Sequence, residues 1–115
     1  MHEVGLISNI LDMVRDDAAC RNISRIKKIH LLIGKFSMVL PDSMQFAFEA
    51  LRDGEYLFQD ALLYIEEKDL ECLCNDCKHS FTIVDYHDFT CPHCSCADVQ
   101  ITAGRELSIL SYEGE

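Results

Sequence analysis

Positive charge is scarce in this sequence: ten lysines and arginines face twenty aspartates and glutamates over 115 residues, a formal net charge of −10. Nucleic-acid phosphates need a cationic face to bind, and so does an anionic membrane surface, which argues against both partners. Long hydrophobic runs are also missing, and nothing approaches the roughly 20 apolar residues of a membrane-spanning helix. The N-terminus lacks the basic start of a secretory signal, and Asp12 breaks its apolar stretch early. There is no low-complexity linker, and no internal repeat beyond two similar cysteine pairs. The expectation is a folded cytoplasmic protein. Its length suits one compact unit or two very small ones, and 49% apolar residues suffice for a core.

Cysteine, by contrast, is plentiful. In a reducing compartment seven cysteines point to metal rather than disulfides, and an odd number leaves at least one thiol outside any pairing. Around them the pattern predicts helices and strands. Apolar residues from Val4 to Ala18 recur at three- and four-residue spacing, opposite Asp12, Arg15 and Asp16, which predicts an amphipathic helix over Val4 to Ala19. Alternation from Ile29 to Gly34 predicts a strand. Pro41 opens a second helix, with Met44, Ala47, Phe48 and Leu51 on one face and Gly54 as terminator. Ala61 to Glu67 and Glu106 to Tyr112 read as two further strands.

The intervening stretch differs in composition. Leu70 to Asp98 holds six of the seven cysteines and three of the five histidines. A segment this short cannot bury a useful core without a cross-link or a metal. The expected fold is therefore α+β: two helices on a small, mostly antiparallel three-stranded sheet, with an inserted zinc-ribbon-like β module. Residues 1–69, completed by a C-terminal strand in 99–115, form one domain, and residues 70–98 form the other.

Cys74-Asn-Asp-Cys77 and Cys91-Pro-His-Cys94 are two Cys-x-x-Cys turns. Each can place two thiolates on one ion, and the pair completes a tetrahedron of soft donors suited to Zn²⁺. Four protein ligands leave no open position for a substrate water, so the role is structural. Lys78 to Thr90 carries Phe81, Ile83, Val84, Tyr86 and Phe89, suited to a short hairpin over the site. Cys72 and Cys96 flank the turns as spare or exchangeable thiols. His79 stands two residues after Cys77, where it could enter the site, and His93 lies inside the second turn. The rival for these cysteines is a redox pair, as in a zinc-ribbon thiol oxidoreductase. Glu71, Asp76, Asp85, Asp88 and Asp98 against Lys78 alone make this ribbon a poor nucleic-acid binder.

Met1-His2-Glu3 offers a different donor set. The terminal amine, the His2 amide nitrogen and the His2 imidazole can close fused chelate rings around one ion. Such nitrogen donors in a plane suit Ni²⁺ or Cu²⁺ better than Zn²⁺. Glu3 could add its amide nitrogen or a side-chain oxygen. Taken alone, the same three residues also read as a solvated chain end.

The motifs occur together and in order over the whole chain: M-H-E at the start, G-K-F-S from Gly34, P-D-S-M-Q-F-A-F from Pro41, L-Y-I-E from Leu63, the paired cysteine turns, and G-R-E-L-S-I from Gly104. This combination resembles the HypA/HybF family, nickel metallochaperones of [NiFe]-hydrogenase maturation. The resemblance implies a non-enzymatic carrier with nickel at Met1, His2 and Glu3 and structural zinc at Cys74, Cys77, Cys91 and Cys94. It also implies a HypB-type GTPase and the [NiFe]-hydrogenase large subunit as partners, with urease maturation proteins as further ones. Some members carry Cys-x-x-Cys-x-His in both turns; here only His79 fits, and Cys96 stands where the second histidine would be. The remaining alternative is an acidic interaction adaptor that uses zinc but no nickel.

Overall fold

The computed structural model describes residues 2–115, with the backbone alone at His2. Helix α1 (His2–Cys20) buries Ile7, Ile10, Leu11, Val14 and Ala18 of the predicted stripe, whereas Val4 at its start is exposed. It ends in a left-handed residue, Asn22 (φ 58°): the Ile23 N–H donates to the Ala18 carbonyl at 2.9 Å and the Asn22 N–H to Ala19 at 3.3 Å. These two bonds are the Schellman closure of a helix C-terminus, with asparagine at the position glycine usually takes.

Strand β1 (Ile26–Gly34) starts three residues before the expected Ile29. Ile26 and Ile29 are both buried although an odd spacing should put them on opposite faces. A register irregularity between Ile26 and Lys28 resolves this, because one unpaired residue resets the alternation. A 3₁₀ turn (Lys35–Ser37), helix α2 (Pro41–Leu51) and a second 3₁₀ turn (Tyr56–Phe58) lead to β2 (Leu62–Lys68). Gly54, the expected terminator after α2, has φ 77°.

β2 lies parallel to β1, so this segment is a crossover unit with α2 as its connection. Strand β6 (Leu107–Gly114) flanks β1 antiparallel on the other side, giving a mixed sheet in the order β2-β1-β6. The side chains of Ile29, Leu31 and Ile33 meet Ile7 and Val14 from α1 and Met44 and Phe48 from α2 in one continuous core. The Tyr112 hydroxyl donates to Asp17, tying β6 to α1 and holding that carboxyl below its usual range.

A second sheet, ordered β4-β3-β5, consists of β3 (Leu70–Cys74), β4 (Ser80–Ile83) and β5 (Val99–Ala103), all antiparallel. Two features differ from expectation. The hairpin over the cysteines is not contained within 78–90, because its first arm is β3 and the first cysteine turn is its bend. The stretch 99–115 is two strands: Val99–Ala103 pairs in the second sheet, and only Leu107–Gly114 returns to the first. Gly104, at φ 115°, makes the break between them.

The sheets meet where backbone crosses backbone. A Cβ built on Gly34 would lie 2.2 Å from the Gly104 carbonyl carbon, and one on Gly104 would lie 2.6 Å from Leu70 Cα. The Phe36 N–H donates to the Gly104 carbonyl at 2.8 Å, and the Phe36 ring sits edge-on to Tyr86 (5.5 Å between centroids) and Phe89 (6.1 Å). Lys35 pairs with Asp69 at 2.8 Å across the same seam. Gly34→Ala should therefore destabilise the chain by about 3 kcal/mol or more, since a methyl group there collides with main chain that no side-chain rotation can move. Gly5→Ala, in α1 with nothing within 4 Å of the added carbon, should instead stabilise it by roughly 0.5–1 kcal/mol. Urea unfolding of the two variants measures both.

Candidate metal centre

The end of β3 carries Cys74 into a tight turn that returns through Cys77 to β4. A second turn of the same build holds Cys91 and Cys94. The Lys78 N–H donates to the Cys74 carbonyl at 3.0 Å, and the Ser95 N–H to the Cys91 carbonyl at 2.8 Å. The Cys74 N–H donates to the His79 carbonyl at 3.0 Å, and the Cys91 N–H to the Cys96 carbonyl at 2.9 Å. Lys78 and Ser95 both have φ 64°, the left-handed residue that lets each turn fold back. Amides point at the sulfurs: Cys77 N–H on Cys74 Sγ at 3.5 Å and His93 N–H on Cys91 Sγ at 3.4 Å. Such donors stabilise thiolate charge.

The four sulfurs of Cys74, Cys77, Cys91 and Cys94 all lie within 4.8 Å of one another. Cys74 Sγ and Cys94 Sγ are 3.5 Å apart, and Cys77 Sγ and Cys91 Sγ 3.7 Å. A tetrahedron with zinc–sulfur bonds of about 2.3 Å has sulfur–sulfur edges of about 3.8 Å, so the donor set fits that ion in chemistry and in size. The thiols do not ionise alike without it. Amide donors from Cys77 and Asp76 bring Cys74 down to about 7. Cys94, although the Cys96 N–H favours its thiolate, is pushed up to about 12 by desolvation and by the three neighbouring thiols. A divalent cation supplies the charge that lets all four sulfurs be thiolates together.

The remaining cysteines stand outside this group. Cys72 is fully buried against Leu70 and Ile83, where burial raises its pKa and keeps it a thiol. The Cys96 sulfur accepts the Asp98 N–H at 3.4 Å. His79 is not among the clustered donors; its ring stacks on His93 with 5.0 Å between centroids. The second turn, with exposed Cys94, is the more open side of the cluster. The left-handed positions at Lys78 and Ser95 escape a sequence reading because neither is glycine, although each directly follows the second cysteine of its turn.

At the other candidate site, Met1 and the His2 side chain lie outside the described residues. Glu3 is in the first turn of α1, and its carboxylate accepts the Leu40 N–H at 3.4 Å, just ahead of α2. Its own amide and that of Leu40 hold the carboxyl below the usual range. The described structure thus anchors the third residue of the motif against the start of α2.

The chain matches, over residues 1–114, the family described as "Hydrogenase/urease nickel incorporation, metallochaperone, hypA". It is 40% identical over 115 residues to the hydrogenase maturation factor HypA of Moorella thermoacetica, covering 100% of both chains. It is 33% identical to the protein of that name from Helicobacter hepaticus, covering 98% of this chain and 96% of the other. The solution structure of the Ni metallochaperone HypA from Helicobacter pylori superposes with a TM-score of 0.69 at 29% identity, covering 99% of this chain and 97% of that one. A second solution structure, of HypA protein, gives a TM-score of 0.75 at 29% identity over 100% of this chain and 97% of that one.

Replacing Cys74 or Cys91 by alanine should abolish stoichiometric zinc and melt the second sheet while leaving the first folded. Metal analysis with amide hydrogen exchange reads both. Normal protection of residues 70–103 in a zinc-free variant would contradict the structural role.

Proposed function

This chain belongs to the HypA family of nickel-incorporation metallochaperones, and on that premise we propose how its residues divide the work. Nickel is the cargo, held at the leading end by the Met1 amine, the His2 amide and imidazole nitrogens, and Glu3 as a further donor. Zinc is the resident ion, held by Cys74, Cys77, Cys91 and Cys94. Residues 1–69 with the C-terminal strand carry the cargo, and the cysteine-bearing insert is a structural unit. The observation that carries this reading is that four sulfurs converge in one unit, while the M-H-E motif of the sequence leads into helix α1 of the other, with Glu3 in its first turn.

The helix start suits such a load. Backbone N–H groups in the first turn of a helix have no carbonyl four residues back to serve. Metal can therefore take an amide nitrogen there without breaking the helical ladder. The anchored Glu3 keeps the turn in place, while donors on the end of a chain remain open to ligand exchange. The protein acts as a carrier with no covalent chemistry of its own. It passes nickel to the [NiFe]-hydrogenase large subunit in concert with a HypB-type GTPase, and to urease maturation proteins where urease is present. We place this work in the cytoplasm, where a reducing environment keeps cysteine thiols available to metal. Among the described residues, no helix is long and apolar enough to cross a membrane.

A thiol oxidoreductase fits less well, because it needs one accessible pair rather than four sulfurs folded into a single cluster. An adaptor that uses zinc alone leaves the terminal motif without a role.

His2→Ala should remove stoichiometric nickel binding while zinc content and fold persist, which calorimetry and metal analysis measure together. Acetylating the terminal amine should weaken nickel binding as well. In mildly acidic solution protons compete for the imidazole, so affinity should fall as pH drops. Unchanged nickel titration in His2→Ala would remove the terminal chelate.

A further inference from the structure

Helix α1 and the residues entering α2 leave an apolar surface uncovered beside the leading end. Phe46 is 79% exposed, Met38 69%, Leu40 61% and Val4 55%. Val4 should belong to the buried stripe by its spacing, and Phe46 is a large aromatic on a helix whose neighbours Met44, Ala47 and Phe48 are all buried. Val4 and Phe46 line one depression together with Glu3, Asp42, Ser43 and Ala47, and the Leu40 N–H is bonded to the Glu3 carboxylate at its rim. Contiguous exposed apolar surface around a single large aromatic is the signature of a protein contact.

Charge selects the occupant. Among the described residues the lining includes two carboxylates, Asp42 and the Leu40-bonded Glu3, and no lysine or arginine. A second copy placed on this surface about a two-fold axis would bring the same carboxylates face to face, on a chain that already carries a net charge of −10. A different protein that offers an apolar side chain between basic residues meets both requirements. An anionic membrane fails on charge.

We propose that the ledge formed by Val4, Leu40 and Phe46, with its Glu3 and Asp42 rim, docks the protein that exchanges nickel with the terminus, through a segment bearing an apolar anchor flanked by lysine or arginine. This rests on the nickel-carrier reading and adds the partner surface to it. Docking here sets incoming donors beside the first turn of α1, so metal can pass without leaving the interface. Loss of Phe46 therefore uncouples delivery from binding: the ion is held, but the acceptor is not.

The first test places the photo-crosslinker benzoylphenylalanine at position 46 in the native host, with the same substitution at Tyr64, exposed on the first sheet, as control. Mass spectrometry of the products should find a segment of a different protein with an apolar residue next to lysine or arginine. Cross-links to a second copy of this chain, to an acidic segment, or no more than the Tyr64 control gives would overturn the proposal. The second test compares Phe46→Ser with Phe46→Leu. Both should bind nickel and zinc at wild-type stoichiometry, while Phe46→Ser slows incorporation of radioactive nickel into the hydrogenase about tenfold or more and Phe46→Leu restores much of it. Wild-type delivery by Phe46→Ser sinks the docking surface and leaves the nickel reading standing. Absence of nickel on the wild-type chain sinks that reading, and the cross-linked segment still decides whether the ledge is a docking site.

Discussion

Four sulfurs brought within 4.8 Å of one another cannot all carry charge unless a cation sits among them. The second sheet depends on that condition. Its fully buried apolar contacts reduce to Leu70, Cys72 and Ile83, with aromatic rings only partly covered around them. A core so small does not offset the chain entropy of ordering the segment, so the cross-link must come from the metal. The spread of thiol acidity from Cys74 to Cys94 expresses the same dependence, because the metal-free cluster resists full ionisation. The first sheet is under no such constraint: Ile7, Val14, Ile29, Leu31, Met44 and Phe48 close a conventional hydrophobic core.

Two units with different sources of stability are then held in register by a seam of small residues and rings. Gly34 and Gly104 let the chains cross in main-chain contact, and Phe36 lodges against the Tyr86 and Phe89 rings from the other unit. The consequence is a chain that gathers four sulfurs beside one sheet and carries Glu3 in the first turn of a well-packed helix of the other. The Leu40 amide on Glu3 ties the first turn of α1 to the start of α2.

Much of this was legible in the sequence where the physical code is local. The stripe from Ile7 to Ala18 repeats over several helical turns, and the two cysteine turns declare a tetrahedral sulfur site by spacing alone. What escaped is non-local. The irregularity after Ile26 shifts the alternation, so the start of β1 reads as loop. The direction of β2 is set by the crossover through α2 rather than by anything in Leu62–Lys68. Val99–Ala103 is too short to declare which sheet it joins until Gly104 breaks the chain behind it. The terminal motif is weak chemistry on three residues and became informative through its company. Phe46 falls off the predicted apolar face of α2, but only the fold shows that it lines a depression with Val4 of α1.

The central claim is that sulfur keeps the resident ion and nitrogen at the leading end takes the transient one. X-ray absorption on the untagged chain loaded with both metals tests it most directly, at the two metal edges separately. The account predicts four sulfur neighbours around zinc, and only nitrogen and oxygen neighbours in a planar field around nickel. Nickel found among thiolates, with the amine and His2 uncoordinated, would contradict it.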